Sequence, residues 1–242
     1  MIKLFSLFKP KTPNIHLPAK VSFYEGNGIK YLNRMPVKAK DDVVFIHTIH
    51  DEKDKHINTF ITDKDNNKLG YHEYYISNGL LDGDYMEVYH RYQGKGLGEL
   101  LRLASIMMFK ENNLNTMTLT SMNSALPFHI KYKLKPDMDA HTDTSEDILK
   151  MILINKVTSK DFKNKASGLL DNVWLMHTAR AGDKYLEDLS DFITQYVIQN
   201  RKRWDDANFR LNVPLSFDNK ILKRNADFYN KLFKKHEIDY KI

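Results

Sequence analysis

Between residues 43 and 120, apolar and polar positions alternate in short runs, and one long helical period interrupts them. The stretch 43–50 (V-V-F-I-H-T-I-H) reads as a strand. So do 57–62 and 68–77, joined into a hairpin by the turn D-K-D-N-N. Residues 84–89 read as a fourth strand. The run 99–110 (E-L-L-R-L-A-S-I-M-M-F-K) keeps a helical period, and 116–120 sets Met117 and Leu119 against threonines, as a half-buried strand does. A short helix at 126–131 and a short strand at 132–135 follow. Residues 1–42 read as irregular, with Pro10, Pro13, Pro18 and Pro36, a G-N-G turn at 26–28, and a candidate first strand at 21–24 or 28–32.

Beyond 136 the period turns helical. Thr144 with Asp147 three residues later is a capping pair before I-L-K-M-I-L-I. Asp183, after Gly182, is expected to open an amphipathic helix with Tyr185, Leu189, Phe192, Ile193 and Tyr196 on one stripe. Phe209, Leu211, Val213, Leu215 and Phe217 occupy every second position, a strand pattern in which Pro214 predicts an edge or a break. A last helix starts at Asn219. The expected organisation is an N-terminal extension at 1–42, a core at 43–136, and a mainly helical extension or insertion at 137–242. Within the last, 209–217 supplies the final strand of the sheet.

Val88 to Gly98 reads V-Y-H-R-Y-Q-G-K-G-L-G and leads directly into the helix. Three glycines in five positions weaken a helix start by about 1 kcal/mol each, so they call for another reason. Backbone N–H groups turned toward an anion at a helix N-terminus supply one. The mononucleotide loop G-x-x-x-x-G-K-[ST] is absent. The dinucleotide pattern G-x-G-x-x-G fails, because Glu99 stands where its third glycine belongs.

What remains is Q-x-x-G-x-G, formed by Gln93, Gly96 and Gly98 after a strand ending at Val88 and after Tyr92. This resembles the acyl-CoA pyrophosphate loop of the GCN5-related N-acetyltransferase (GNAT) superfamily. About thirty residues on, N-S-A-L-P-F-H-I-K-Y-K-L-K-P is similar to the superfamily's N-x-x-A-x-x-F-Y-x-K-x-G-F. Asn123, Ala125, Phe128 and Lys131 match, Leu134 stands for the last Phe, His129 for the Tyr and Lys133 for the Gly. The resemblance covers about residues 43 to 136. It implies a mixed α/β fold: a central, mostly antiparallel mixed sheet flanked by helices, here with an added helical C-terminal region. The superfamily usually places one or two helices between its first two strands, whereas only 51–56 separate 43–50 from 57–62 here.

The resemblance also implies the chemistry. Acetyl-CoA would be the acyl donor, with its pyrophosphate on the turn and its pantetheine arm along the strand ending at Val88. An acceptor amine attacks the thioester directly. The implied donor-binding residues are Val88, Tyr89, Gln93, Gly94, Lys95, Gly96, Leu97, Gly98 and Asn123, with the backbone N–H near Val88 as oxyanion donor. Lys95, Arg91 and Arg102 are candidate phosphate neighbours. Base candidates are Glu87, Asp84 and Glu73, on strands that should meet beside the cleft; alternation puts Met86 and Val88 on one face and Glu87 on the other. His129 stands where a tyrosine commonly protonates the departing thiolate. An imidazolium fits that task, and packing on the donor is the alternative.

Composition bounds these readings. The 242 residues suffice for a proper core, and the absence of cysteine excludes disulfides and thiolate metal sites. His47, His50, His56 and His72 show no metal spacing, so no metal is expected. The opening M-I-K-L-F-S-L-F-K-P is too short and charged for a secretory signal, and a cytoplasmic protein is the default expectation. Net charge is +6, running from −4 over 137–198 to +6 over 199–235. Three functions stay open: acetylation of an amine on a small molecule, peptide or protein; acetylation of aminoacyl-tRNA, with 199–235 as its footprint; and a non-catalytic acyl-CoA-binding or interaction module.

Overall fold

Alternating runs in the first third of the chain have to close as hairpins, because no helix intervenes to carry a parallel crossover. The computed structural model describes residues 17–40, 42–50, 56–138 and 142–242, without the side chains of 142–144 and 179–181. The N-terminal part is not irregular over its described length. It holds β1 (Ala19–Lys20), β2 (Phe23–Gly26), β3 (Ile29–Leu32) and β4 (Met35–Ala39). Asn27 and Gly28, at φ +53° and +74°, turn β2 onto β3. The strands β5 (Asp42–His50), β6 (Ile57–Thr62), β7 (Lys68–Ser77) and β8 (Leu80–Val88) follow as antiparallel neighbours. Residues 51–55 of the short spacer lie outside the described residues. Among the described residues no α-helix precedes α1 (Leu97–Glu111).

Then come β9 (Thr116–Ser121), α2 (Leu126–Lys131), β10 (Lys135–Pro136), α3 (Thr142–Ile154), α4 (Lys160–Asp171), α5 (Ala179–Asn200), β11 (Val213–Asp218), α6 (Asn219–Arg224), α7 (Ala226–Lys235) and β12 (Ile238–Asp239). Eight strands form one mixed sheet in the order β10-β11-β9-β8-β7-β6-β5-β4, and its one parallel pair is β8 with β9. From β5 to β10 the succession of strands and helices is the order that the resemblance implies. The sheet takes β4 from before residue 43 and β11 from after 136, so neither position is a boundary of it.

Four other expectations are corrected. The strand is 213–218, not 209–217: Phe209 is buried against Trp204 and Tyr196 instead of pairing. The strand of Pro214 is not the edge strand of the sheet, although the side of Pro214 away from β9 is left open. β11 runs between β9 and β10, and β10 covers only Leu215 and Ser216, so no ladder needs the proline's missing N–H there. Helix α5 opens at Ala179, four residues before Asp183. Tyr132 ends α2, and the strand after it is shortened to 135–136. The side chain of Thr144, one half of the expected capping pair, is outside the described residues.

Helix α1 is buried nearly all round, with 12 of its 15 residues inside. One side lies on β5 to β8, and β3 and α7 close others. Its Phe109 meets Phe217 of β11 edge to face at 5.7 Å, and Phe217 meets Tyr229 of α7 at 6.0 Å. The C-terminal elements thus share the core of the sheet. No helix of the described residues is long and apolar enough to cross a membrane. Phe217→Ala is expected to cost about 3–5 kcal/mol in urea unfolding, in one cooperative transition. A loss under about 1 kcal/mol would show that β11 is peripheral.

Candidate functional site

Helix α1 begins where strand β8 ends, and the link between them is built from backbone. The Tyr89 N–H goes to Leu69 O of β7 (3.1 Å), a 3-10 turn covers His90–Tyr92, and Gln93 Nε2 donates back to Val88 O (3.1 Å). Gly94 and Gly96 have φ of +75° and +83°, and Gly96 is the N-cap of α1. An L side chain in that conformation costs about 1–2 kcal/mol. The first helical bond runs from Leu100 N–H to Gly96 O (3.3 Å), so the N–H groups of Leu97, Gly98 and Glu99 lie ahead of it at the positive end of the helix dipole. Gly98 serves a different need: a Cβ there would stand 3.3 Å from the Phe128 ring, which packs α2 onto the turn.

The turn opens on a cleft of about 670 Å³, lined by Met86 and Val88 of β8, by Gln93, Gly94 and Gly96 to Glu99, by Ser124 to His129 in part, and by Lys131, Tyr132 and Lys235. One wall is a free strand edge. β8 pairs with β9 only from Leu80 to Gly83, while β7 holds it as far as Val88. Since Tyr89 N–H points at β7, alternation sends the N–H and C=O groups of Val88 and Met86 to the opposite edge, toward the cleft. The parting begins at a bulge. Glu73 pairs with Tyr85 and Tyr74 with Gly83, which leaves Asp84 as the extra residue.

At the inner end lies a recess of about 90 Å³, with Asp84, Met86, Leu119, Arg102, His72 and His129 among its lining residues. Arg102 is buried on α1 and lines this recess, not the cleft at the glycine turn, and so is no phosphate neighbour. It donates to His129 Nδ1 (3.0 Å) and to Met117 Sδ (3.6 Å), and its Nε has no partner. Because Arg102 can only donate, Nδ1 accepts and the neutral ring carries its proton on Nε2. Burial first, and the Arg102 charge second, push His129 down to about 2. An imidazolium at 129 is therefore unavailable near neutral pH, and the ring has an Nε2–H hydrogen-bond donor to offer. His72 beside it is driven well below its ordinary range, mainly by burial and then by Arg102 and His129, and bonds Ser105 Oγ through Nδ1 (2.7 Å).

The outer end holds a second buried charge. Glu99 Oε1 meets His236 Nε2 (2.7 Å) and Lys235 Nζ, and Oε2 accepts from Tyr132 Oη (2.5 Å) and Lys131 Nζ (3.4 Å). Burial raises its pKa, but the bonds from His236, Lys235 and Tyr132 outweigh it and hold the carboxyl well below the usual range. His236 also points Nδ1 at Lys38 O (2.6 Å), which ties the Glu99 cluster to the end of β4.

Of the residues picked from sequence, Val88, Gln93, Gly94, Gly96, Leu97, Gly98 and His129 line the cleft, and Asp84 lines the recess with His129. Glu87 pairs opposite Tyr71 on the other face of the sheet, where it and Glu73 help burial push that phenol up to about 12. Tyr89 packs edge-on to Tyr71, and Lys95 lies over the Tyr92 ring beside a neighbouring hollow. Asn123 gives its carbonyl to Trp204 Nε1 (2.9 Å), leaving Ser124 and Ala125 in the cleft. Sequence reasoning missed the Glu99 cluster; its signal was an acid at the first turn of an otherwise apolar helix. Among the described residues no three His, Asp or Glu gather as a metal set.

No family model and no curated protein matches the chain. Solved structures similar to it include a GNAT-family acetyltransferase from Staphylococcus aureus, with 19% identity, covering 35% of this chain and 56% of that one at TM-score 0.32. Another is a GNAT-family acetyltransferase from Elizabethkingia anophelis with acetyl-CoA bound (15%, 40% and 78%, TM-score 0.36). A third is an N-acetyltransferase from Thermoplasma acidophilum in complex with coenzyme A (18%, 34% and 53%, TM-score 0.30). The chain thus spans about half the length of the first and third.

Because the folded value of Glu99 lies below its ordinary one, its stabilisation is complete above the ordinary carboxylate range and is lost as pH falls below it. Glu99→Gln is expected to cost about 3 kcal/mol at neutral pH and to flatten the acid limb of stability against pH. Acid limbs of equal slope in both proteins would remove Glu99 from that role.

Proposed function

We propose that the chain is an acyl-CoA-dependent N-acyltransferase, moving an acetyl or other short acyl group from CoA to an amine. One observation carries this: a glycine turn at a helix N-terminus and a free strand edge open on the same cleft. The turn suits a diphosphate. The edge suits an amide-bearing arm, which can bond Met86 and Val88 as another strand would. At the far end of that arm lie His129 and Asp84.

In this reading the amine nitrogen attacks the thioester carbonyl, a C–N bond forms, the C–S bond breaks and CoA leaves as thiolate. The Val88 N–H donates to the carbonyl oxygen as charge develops on it. The Nε2–H of His129 donates to the departing sulfur. Asp84, exposed at the rim, takes the proton that the amine gives up. Glu87, on the other sheet face, meets only an acceptor that approaches from that side. Most of the rate comes from holding the two reactants together.

Calorimetric titration of the protein with acetyl-CoA is expected to give micromolar binding. Gly96→Glu should weaken it about a hundredfold, by adding a strained side chain and a negative charge at the turn. Unchanged affinity in that variant would remove the basis for the assignment. His129→Phe is expected to lower turnover about tenfold at nearly constant donor affinity, matching the loss of one hydrogen bond to sulfur.

A further inference from the structure

Arg102 is a full positive charge lining the recess, between Leu101 and Leu103 on a helix with 12 of its 15 residues buried. Burial brings its pKa down only to about 10, so it stays charged. Of its donors, one nitrogen faces a thioether, one faces a histidine, and Nε faces nothing. No carboxylate is among these partners. The nearest acid along the helix, Glu99, is committed to Lys131, Lys235, His236 and Tyr132. Asp84 lines the same recess, yet it sits on the exposed β8 bulge and makes no ion pair with Arg102. A buried charge is retained where an anion meets it, and here the missing anion has a cavity in which to sit.

The form of the cavity narrows the anion. Its volume of about 90 Å³ holds about three waters, more than the single methyl of an acetyl group occupies. Met86, Leu119 and Ala125 make apolar walls, and the buried Arg102 is among the residues that line the recess with them. The recess shares Met86, Ala125 and His129 with the main cleft, so it continues from the place where the thioester would lie. Methylene walls ending in a cation match a short chain ending in a carboxylate.

We infer that the recess is an acyl-chain pocket and that the preferred donor is the CoA thioester of a short dicarboxylic acid, whose free carboxylate Arg102 holds. The inference rests on the N-acyltransferase reading above and names its donor class. The transfer itself is unchanged: the C–S bond breaks, the C–N bond forms, and the distal carboxylate takes no part. Arg102 therefore acts as a specificity-determining residue, and it also fixes the tautomer of His129.

Succinyl-CoA and butyryl-CoA have acyl chains of equal length and differ in the terminal carboxylate, so they serve as probes. Calorimetric titration of the full chain is expected to give succinyl-CoA at least a tenfold advantage. Arg102→Met should erase that advantage while keeping the affinity for CoA. Arg102→Met removes a buried charge that has no carboxylate partner and keeps an unbranched apolar stem, and thermal unfolding checks that the variant is folded. If it is not, the wild-type comparison decides alone. Equal binding of the two thioesters, or tighter butyryl-CoA, overturns the dicarboxylate pocket and leaves the transferase reading intact. Binding of neither thioester, nor of CoA, overturns the transferase reading as well. A purely positioning role for Arg102 predicts no dependence on acyl charge.

Discussion

A strand paired on one side and bare on the other is costly inside a protein, because its N–H and C=O groups have lost water without gaining partners. Strand β8 escapes that cost from Asp84 to Val88 by facing the open cleft: none of these residues is buried, and Val88 O accepts from Gln93 Nε2. It is held to β7 along its length, while its pairing with β9 stops at Gly83. β9 meanwhile stays paired to β11 through Ser121. Each strand keeps its outer neighbour, so the wedge between them stays open without loosening the sheet. The bulge at Asp84 marks where the wedge begins, and the turn at Gly94 to Gly98 stands at its other end. Everything that the site offers, from amide donors to the recess, follows from this parting.

Helix α1 carries two buried charges three residues apart, and the fold treats them oppositely. Glu99 is surrounded by donors from α2, from α7 and from His236, which tie the chain's last elements to the first turn of the helix. Arg102 receives only a histidine nitrogen and a thioether. Burying a guanidinium without an anion costs on the order of several kcal/mol, and these two bonds to neutral partners offset only part of it. The acid is thus complete within the protein, whereas the base has capacity to spare at the inner end of the cleft. Arg102 also places the histidine: burial first and the Arg102 charge second keep the His129 ring neutral, and the bond from Arg102 orients it, which turns a prospective acid into a hydrogen-bond donor.

Much of this was legible from local patterns. The strands at 57–62 and 68–77, the helix at 126–131 and the glycine turn lie where alternation, period and backbone demand put them. Residues whose position depends on distant partners were not legible. Phe209 and Leu211 alternate as a strand should, but a nearby aromatic cluster takes Phe209 out of the ladder. Pro214 signalled a position where no ladder needs its N–H, which holds, but only the two-residue length of β10 explains how that position occurs in the second strand from the edge. Arg102 read as a phosphate ligand because it follows a phosphate turn, yet its helical phase points it inward. His129 matched a motif position, but burial sets its protonation state and a neighbour 27 residues away fixes its tautomer.

The helices at 142–200 enter the sheet's sequence between β10 and β11, and this location explains how so large a segment leaves the site untouched. β10 and β11 are neighbours at one end of the sheet, so the chain departs and returns at the same margin. The wedge between β8 and β9 lies one strand further in, shielded by the six pairs that join β11 to β9. The inserted helices reach the site only indirectly, with α5 packed on α2 and β10. The segment after β11 acts directly. Lys235, at the end of α7, lines the cleft, and His236 locks Glu99 behind the glycine turn. One lysine of the positive stretch 199–235, Lys235, therefore lies at the outer end of the cleft beside Lys131, both ion-paired to Glu99 at the helix start. A nucleic-acid footprint is not needed to account for that part of the charge.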